Sequence, residues 1–99
     1  MTRLADIVPK IRSKNAGPFW LTVDIFCGNA NVFDRVSAAI HSEKVAELFQ
    51  MQQDQLKRFD ISDLHVVKFS LPRPQVQGVQ ADRDMHGASF ANLLAELDI

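Results

Sequence analysis

The chain has 99 residues, of which 46% are hydrophobic, and its 11 basic and 12 acidic side chains leave a net charge of −1. A chain of this length has room for one hydrophobic core, so we expect residues 1–99 to form a single domain. The near-neutral charge argues against a nucleic-acid partner. The sequence contains no long apolar run, so we expect neither a signal peptide nor a membrane span. We therefore predict a cytoplasmic protein with neither a nucleic-acid nor a membrane partner.

The first part of the chain is predicted to hold a helical turn, a polar turn and the strongest strand of the sequence. Apolar spacing predicts one helical turn near residues 3–8, followed by extended chain after Pro9. Residues 14–18, Lys-Asn-Ala-Gly-Pro, are typical of a turn. In residues 19–27, every second side chain is apolar, which predicts a strand with one face in the core.

The middle of the chain is predicted to form a broken helix and a β-hairpin. Asn29 or Asn31 is expected to cap a helical stretch over residues 30–51 that breaks near His41, and Ser42 is expected to cap the second piece. Residues 56–61 and 64–71 are expected to pair as two strands across a Ser62-Asp63 turn, with His65 on the core-facing side. These elements supply one crossover helix and two further strands.

The last part is predicted to hold a polar loop over residues 75–86, a short helix over 88–94 and a final strand over 95–99. The complete order, βαββαβ, is that of a ferredoxin-like sandwich. We therefore predict an α+β fold with a four-stranded antiparallel sheet and the helices on one face.

This topology gathers polar groups at one edge of the sheet. The Pro72-Arg73-Pro74 exit of one strand, the 14–18 turn, the entry to the last helix at His86 and the carboxy terminus at Ile99 are all expected there. Lys14, Asn15, Arg73 and His86 are our candidates for binding a small anion such as a carboxylate or a phosphate. The alternative is that they are ordinary solvated loop residues.

The helix-free face of the predicted sheet is our candidate docking surface. Asp24 is expected opposite Lys68, either as a simple cross-strand ion pair or facing a partner. Trp20, Phe26, Leu64 and Val66 are expected on the same face, which would then be too apolar to stay uncovered. The partner-facing candidates are Trp20, Asp24, Phe26 and Lys68.

Self-contained catalysis has weak support in the sequence. Asp84 could orient His86 as a general acid or base, and Asp82, Asp84 and His86 could ligate a metal, but three loop residues without a second cluster are a poor metal signal. Ser13 and Cys27 lack a nearby base, and Cys27 lies in an apolar strand as a small hydrophobic residue. We assign no metal site, and neither catalytic residues nor a cofactor can be named.

Four segments carry a resemblance to a known family: Ile11 to Phe19, Leu21 to Phe26, Pro72-Arg73-Pro74 and His86 to Ile99. They resemble a bacterial family of small proteins similar to the freestanding version of the ferredoxin-fold domain found with acyclic terpene utilisation proteins of the AtuA type. The resemblance implies an accessory subunit of a heteromeric catabolic enzyme, hydratase- or lyase-like, with an AtuA-type large subunit. The alternative is a non-catalytic module that binds a partner or a second copy of itself.

Overall fold

Two central strands with alternating apolar side chains organise the molecule. The computed structural model describes residues 2–17, 19–72 and 89–99. The strands are β1 (Lys10–Asn15), β2 (Trp20–Phe26), β3 (Lys57–Ile61) and β4 (Val66–Pro72), and the helices are α1 (Ala30–Ala39), α2 (Ser42–Leu48) and α3 (Ser89–Ala95). The strands form one antiparallel sheet in the order β1-β2-β4-β3. Short 3₁₀ turns occupy Leu4–Asp6, Gln53–Gln55 and Ser62–Leu64.

The inner face of β2 and β4 forms the centre of the core. Leu21 lies opposite Leu71, Val23 opposite Phe69 and Ile25 opposite Val67. All six side chains are fully buried, and they share one cluster with residues of α1, α2 and α3. The helices therefore cover one face of the sheet, as predicted, because the apolar face of each strand needs an apolar layer against it.

The predicted α+β fold with a four-stranded antiparallel sheet, consistent with a ferredoxin-like sandwich, is confirmed. The strand β2 has two neighbours in the sheet. One is β4, and the other is β1 rather than the predicted strand over residues 95–99. That prediction is wrong because residues 95–99 contribute only an isolated bridge between Asp98 and Arg3. The fourth strand of the sheet therefore comes from the amino-terminal part of the chain.

The turn between β1 and β2 is shorter than predicted. Lys14 and Asn15 are the last residues of β1, where they pair with Thr22 and Leu21. The amide of Ala16 donates to the carbonyl of Trp20 at 2.9 Å, which closes the hairpin. Gly17 has a φ of 85°, a backbone angle that glycine adopts without the strain that a side chain would bring. The polar composition of the segment concealed its strand geometry.

The helices follow the sequence signals closely. The side chain of Asn29 accepts a hydrogen bond from the amide of Val32 at 2.9 Å and caps α1, as predicted. The break near His41 is also confirmed, since α1 ends at Ala39 and α2 begins at Ser42. The N-cap of α2 is His41, without a side-chain bond, so the prediction that Ser42 caps this helix is wrong.

Arg58 of β3 ties the sheet to the end of α1. Its guanidinium donates to the carbonyl oxygens of Ser37 and Ile40, and to the Asp60 carboxylate at 2.8 Å. The Arg58 side chain is 20% exposed, and it lies near the ring of Phe69. A cation at a helix carboxyl end satisfies carbonyls that have no partner within the helix. Sequence analysis did not single out this residue.

The carboxy terminus packs against the amino-terminal segment. The amide of Leu4 donates to the carbonyl of Leu97 at 2.8 Å, and the amide of Ile99 donates to the carbonyl of Thr2 at 2.9 Å. Arg3 also contacts both Asp6 and Glu96 at 3.3 Å. Ile99 is therefore held by residues 2–4, and its predicted place beside the 14–18 turn is wrong.

Candidate docking surface

The outer face of the sheet, which none of the described helices covers, collects aromatic and basic side chains. We call this surface the helix-free face. Strand register assigns to it Lys10, Arg12 and Lys14 of β1; Trp20, Thr22, Asp24 and Phe26 of β2; Lys57, Phe59 and Ile61 of β3; and Val66, Lys68, Ser70 and Pro72 of β4. The Trp20 side chain is 42% exposed and that of Phe59 is 49% exposed. Large exposed aromatic residues on one surface are typical of an interface.

The helix-free face is strongly basic although the chain is not. It carries five of the 11 basic residues of the chain and a single one of its 12 acidic residues, Asp24. Four of these basic residues are lysines, and the only other lysine of the chain is Lys44 on α2. The overall charge of −1 therefore conceals a local positive surface on this face.

Two lysines of the helix-free face lie over its aromatic rings. The Lys57 ammonium is 5.7 Å from the centre of the Trp20 ring, and the Lys10 ammonium is 5.9 Å from that of Phe26. Each ammonium group lies within the distance at which a cation is attracted to the face of an aromatic ring. The rings therefore position the positive charges on the surface.

Asp24 lies at the middle of the helix-free face between two cations. Its register partners are Arg12 on β1 and Lys68 on β4, so the predicted pairing of Asp24 with Lys68 is confirmed. The ion pair expected from this pairing is not formed: within the described ranges, the salt bridges shorter than 4.0 Å involve other residues. One carboxylate oxygen of Asp24, Oδ1, is buried without a hydrogen-bond partner.

Thr22, the next outward residue of β2, has the same property. It is 7% exposed, and its Oγ1 is buried without a partner. A buried polar atom that has lost water and gained no partner costs about 1–3 kcal/mol. Among the described residues, Thr22 and Asp24 thus place two buried polar atoms without a hydrogen-bond partner next to each other on β2.

Replacing Thr22 by valine is expected to stabilise the isolated chain by about 1 kcal/mol, because the new side chain has the same shape and no hydroxyl to desolvate. The matched variant Thr22→Ser keeps the hydroxyl and loses a methyl group, so it is expected to lower stability. Urea unfolding of the three proteins measures both effects. A destabilised Thr22→Val variant would show that the hydroxyl has a partner in solution.

The predicted anion-binding edge is described in part. Lys14 is exposed and Asn15 partly buried at the end of β1, and Trp20 at the start of β2 pairs with Pro72 at the end of β4. The exit of β4 and the turn that leads into β2, which were expected to lie side by side, are therefore neighbours. Arg73 and His86, as well as Asp82 and Asp84, lie outside the described residues. The assignment of Lys14, Asn15, Arg73 and His86 to ligand binding stays a prediction.

The start of α3 lies close to the same edge. The side chain of Ser13 on β1 accepts a hydrogen bond from the amide of Ala91 at 3.0 Å. Ser13 thus satisfies one of the free amides in the first turn of α3. This contact gives Ser13 a structural role and explains a serine on the inner side of β1.

His65 does not have the position that was expected from the sequence. His65 lies in the turn before β4 with a φ of 54°, half-buried and 6.3 Å from the ring of Phe33, so its predicted place within the strand is wrong.

Among the described residues, no group of three His, Cys, Asp or Glu side chains is arranged to hold a metal ion. None of the described helices has the length and apolar character needed to cross a membrane.

A small cavity of about 170 Å³ lies between α3 and the segment that leads into β1. It is lined by Ala5, Val8, Pro9, Lys10, Ile11, Ala91, Asn92 and Ala95. Pockets for metabolites usually measure about 300–1,000 Å³ and present several convergent polar groups. Lys10 and Asn92 are the polar residues here, so this cavity is a packing gap rather than a substrate site.

Cys27 is buried in the core, and burial raises the pKa of its thiol above its ordinary value. The negative charge of Asp60 raises this pKa further. The thiol is thus held in its protonated form, which is the unreactive one.

The Cys27 environment makes stability depend on pH in the alkaline range. The raised folded-state pKa contributes stability that is fully present below the unfolded pKa of about 8.5 and is lost as pH rises through the folded value. We expect the difference in unfolding free energy between the native chain and Cys27→Ala to shrink between about pH 8 and pH 10. Urea unfolding at both pH values measures it, and a constant difference would contradict the burial effect.

The comparison with known families identifies the chain. Residues 4–98 match the model of the domain of unknown function DUF4387. The chain belongs to this family. No curated protein and no solved structure shows a significant match to the DUF4387 chain. The match spans nearly all of the sequence, so every described element of the fold is part of the family's domain.

The sequence analysis missed several members of the helix-free face in this DUF4387 domain. Lys10, Arg12, Lys57 and Phe59 were not among the partner-facing candidates. The signal was present in the alternation of Lys10, Arg12 and Lys14, which places three cations on one side of an extended segment. Their meeting with Lys57 and Phe59 depends on strand register, which alternation alone does not give.

Proposed function

We propose that this chain is a small accessory subunit that docks onto a larger protein through its helix-free face. The observation that carries this proposal is the exposure of two large aromatic side chains, Trp20 and Phe59, on a sheet face that none of the described helices covers. Exposed aromatic surface gains free energy when a partner covers it.

The resemblance noted in the sequence supports a specific class of partner. It favours an AtuA-type large subunit and hydratase- or lyase-like chemistry on a carboxylate or an acyl-CoA. In this proposal the edge that contains Lys14 and Asn15 adjoins the docking face, since Lys14 belongs to both. The small subunit would then bring a cation and backbone amides to the margin of a shared active site.

Coexpression with the AtuA-type chain of the same organism tests the proposal. A tagged DUF4387 chain is expected to retain that chain through size-exclusion chromatography. The double variant Trp20→Ser/Phe59→Ser is expected to lose it, because these two side chains are the large exposed aromatic anchors of the helix-free face. Failure of the native pair to copurify would contradict the proposed partner.

A matched control separates docking from general surface apolarity. Leu93 is 45% exposed on α3, in the helical layer, and Leu93→Ser removes a comparable exposed apolar side chain from the other side of the molecule. This variant is expected to copurify like the native chain. Equal loss in both variants would contradict docking through the helix-free face.

A further inference from the structure

We infer that the surface that covers the helix-free face belongs to a protein whose docking site is acidic. This inference rests on the proposed docking function and specifies the chemistry of the partner. The helix-free face presents Lys10, Arg12, Lys14, Lys57 and Lys68 around one carboxylate. Complementary potentials across an interface require an excess of carboxylates on the other side.

A second copy of the chain does not meet this requirement. Self-association through the helix-free face would bring two surfaces with five cations and one anion each against one another. Like charges opposed across an interface cost several kcal/mol.

Single-stranded nucleic acid is also a poor complement. Sheets that bind it stack successive bases on aromatic rings of the central strands. Of the two central strands, β2 presents the rings of Trp20 and Phe26, but β4 presents no aromatic ring, since its outward residues are Val66, Lys68, Ser70 and Pro72. The Asp24 carboxylate at the middle of the face would repel a phosphate backbone.

Defined polymers test the charge requirement without the natural partner. Trp20 is the only tryptophan of the chain and lies on the helix-free face, so its fluorescence reports contact there. The native chain is titrated with poly-L-glutamate and, separately, with oligothymidylate at about 0.01 M salt, where screening is weak. Poly-L-glutamate is expected to change Trp20 fluorescence at lower concentration than oligothymidylate and to be displaced at about 1 M salt.

Two matched double variants locate the binding. Arg12→Gln/Lys14→Gln removes two charges from the helix-free face, and Arg35→Gln/Lys44→Gln removes the same residue types from exposed positions on α1 and α2. The first is expected to weaken poly-L-glutamate binding about tenfold, the effect of two lost surface pairs, and the second to leave it nearly unchanged. Equal weakening would overturn the inference, because net charge alone would then explain binding.

The remaining outcomes are also decisive. Tighter binding of oligothymidylate than of poly-L-glutamate would overturn the inference in favour of nucleic acid. Absence of binding to poly-L-glutamate at low salt would overturn it as well. If the native chain still copurifies with its large subunit and Trp20→Ser/Phe59→Ser does not, the docking function stands and only the acidic character of the partner is rejected.

Discussion

Replacing Arg58 by methionine is expected to lower the free energy of unfolding by about 2–4 kcal/mol. Methionine keeps much of the aliphatic packing near Phe69 but leaves the carbonyls of Ser37 and Ile40 without the guanidinium donor. The Asp60 carboxylate also loses the guanidinium and keeps the hydrogen bond from the Ser37 hydroxyl. The lower end of this range applies if the Asp60 carboxylate forms hydrogen bonds to water once Arg58 is gone, since its side chain is 37% exposed. Urea unfolding followed by circular dichroism measures the loss.

The control for Arg58 is a second arginine in a different setting. Arg35 is exposed on α1, and Arg35→Met is expected to change stability by no more than about 0.5 kcal/mol, as is usual for exposed positions. Similar losses in the two variants would contradict the role assigned to the Arg58 contacts.

A chain that begins at Ala16 is expected not to fold. Such a truncation removes β1, which pairs with β2 at six positions, and also removes the buried residues Leu4 and Val8. Each buried aliphatic side chain contributes about 1.5–3 kcal/mol, so these losses and the exposed edge of β2 approach the 5–15 kcal/mol that stabilises a whole domain. The measurement is the dispersion of amide signals in a two-dimensional NMR spectrum.

The complementary truncation tests which end of the chain supplies the fourth strand. A chain that ends at Ala95 loses the bonds of Leu97 and Ile99 to residues 2–4 but keeps all four strands, so it is expected to fold with reduced stability. Native-like dispersion in the chain that begins at Ala16, or a disordered spectrum for the chain that ends at Ala95, would contradict the topology.

The central part of the fold is readable from sequence because it depends on local patterns. The alternation of apolar and polar side chains predicts β2 and β4. Pairing the two strands with their midpoints opposite each other then predicts the register that places Asp24 opposite Lys68. The Asn29 cap and the break at His41 are equally local signals. These features hold because the buried side chains agree with the propensity of each segment.

The rest of the fold depends on contacts between distant segments. Arg12, Ser13, Lys14 and Asn15 are polar and were assigned to the approach and turn before the strand, yet they form β1 because Ser13 meets the first turn of α3 and Ile11 joins the core. Residues 95–99 alternate like a strand, but their partners are residues 2–4 rather than the sheet. Neither contact has a local sequence signature.

The candidate docking surface was also predictable from the sequence only in part. Trp20, Asp24, Phe26 and Lys68 were predicted on the helix-free face from alternation, and the register places them there. The net charge of −1 gave no sign of a basic surface, because composition averages over all faces of the molecule. The concentration of cations became visible only when four strands were placed side by side.

Lysine acetylation in the proposed complex with an AtuA-type chain tests docking through the helix-free face most directly. Lys10, Lys14, Lys57 and Lys68 lie on this face, whereas Lys44 lies on α2 as an internal reference. Mass spectrometry of the free and bound chain is expected to show strong protection of the four and unchanged reactivity of Lys44. Protection of Lys44 while the other four stay reactive would contradict the account.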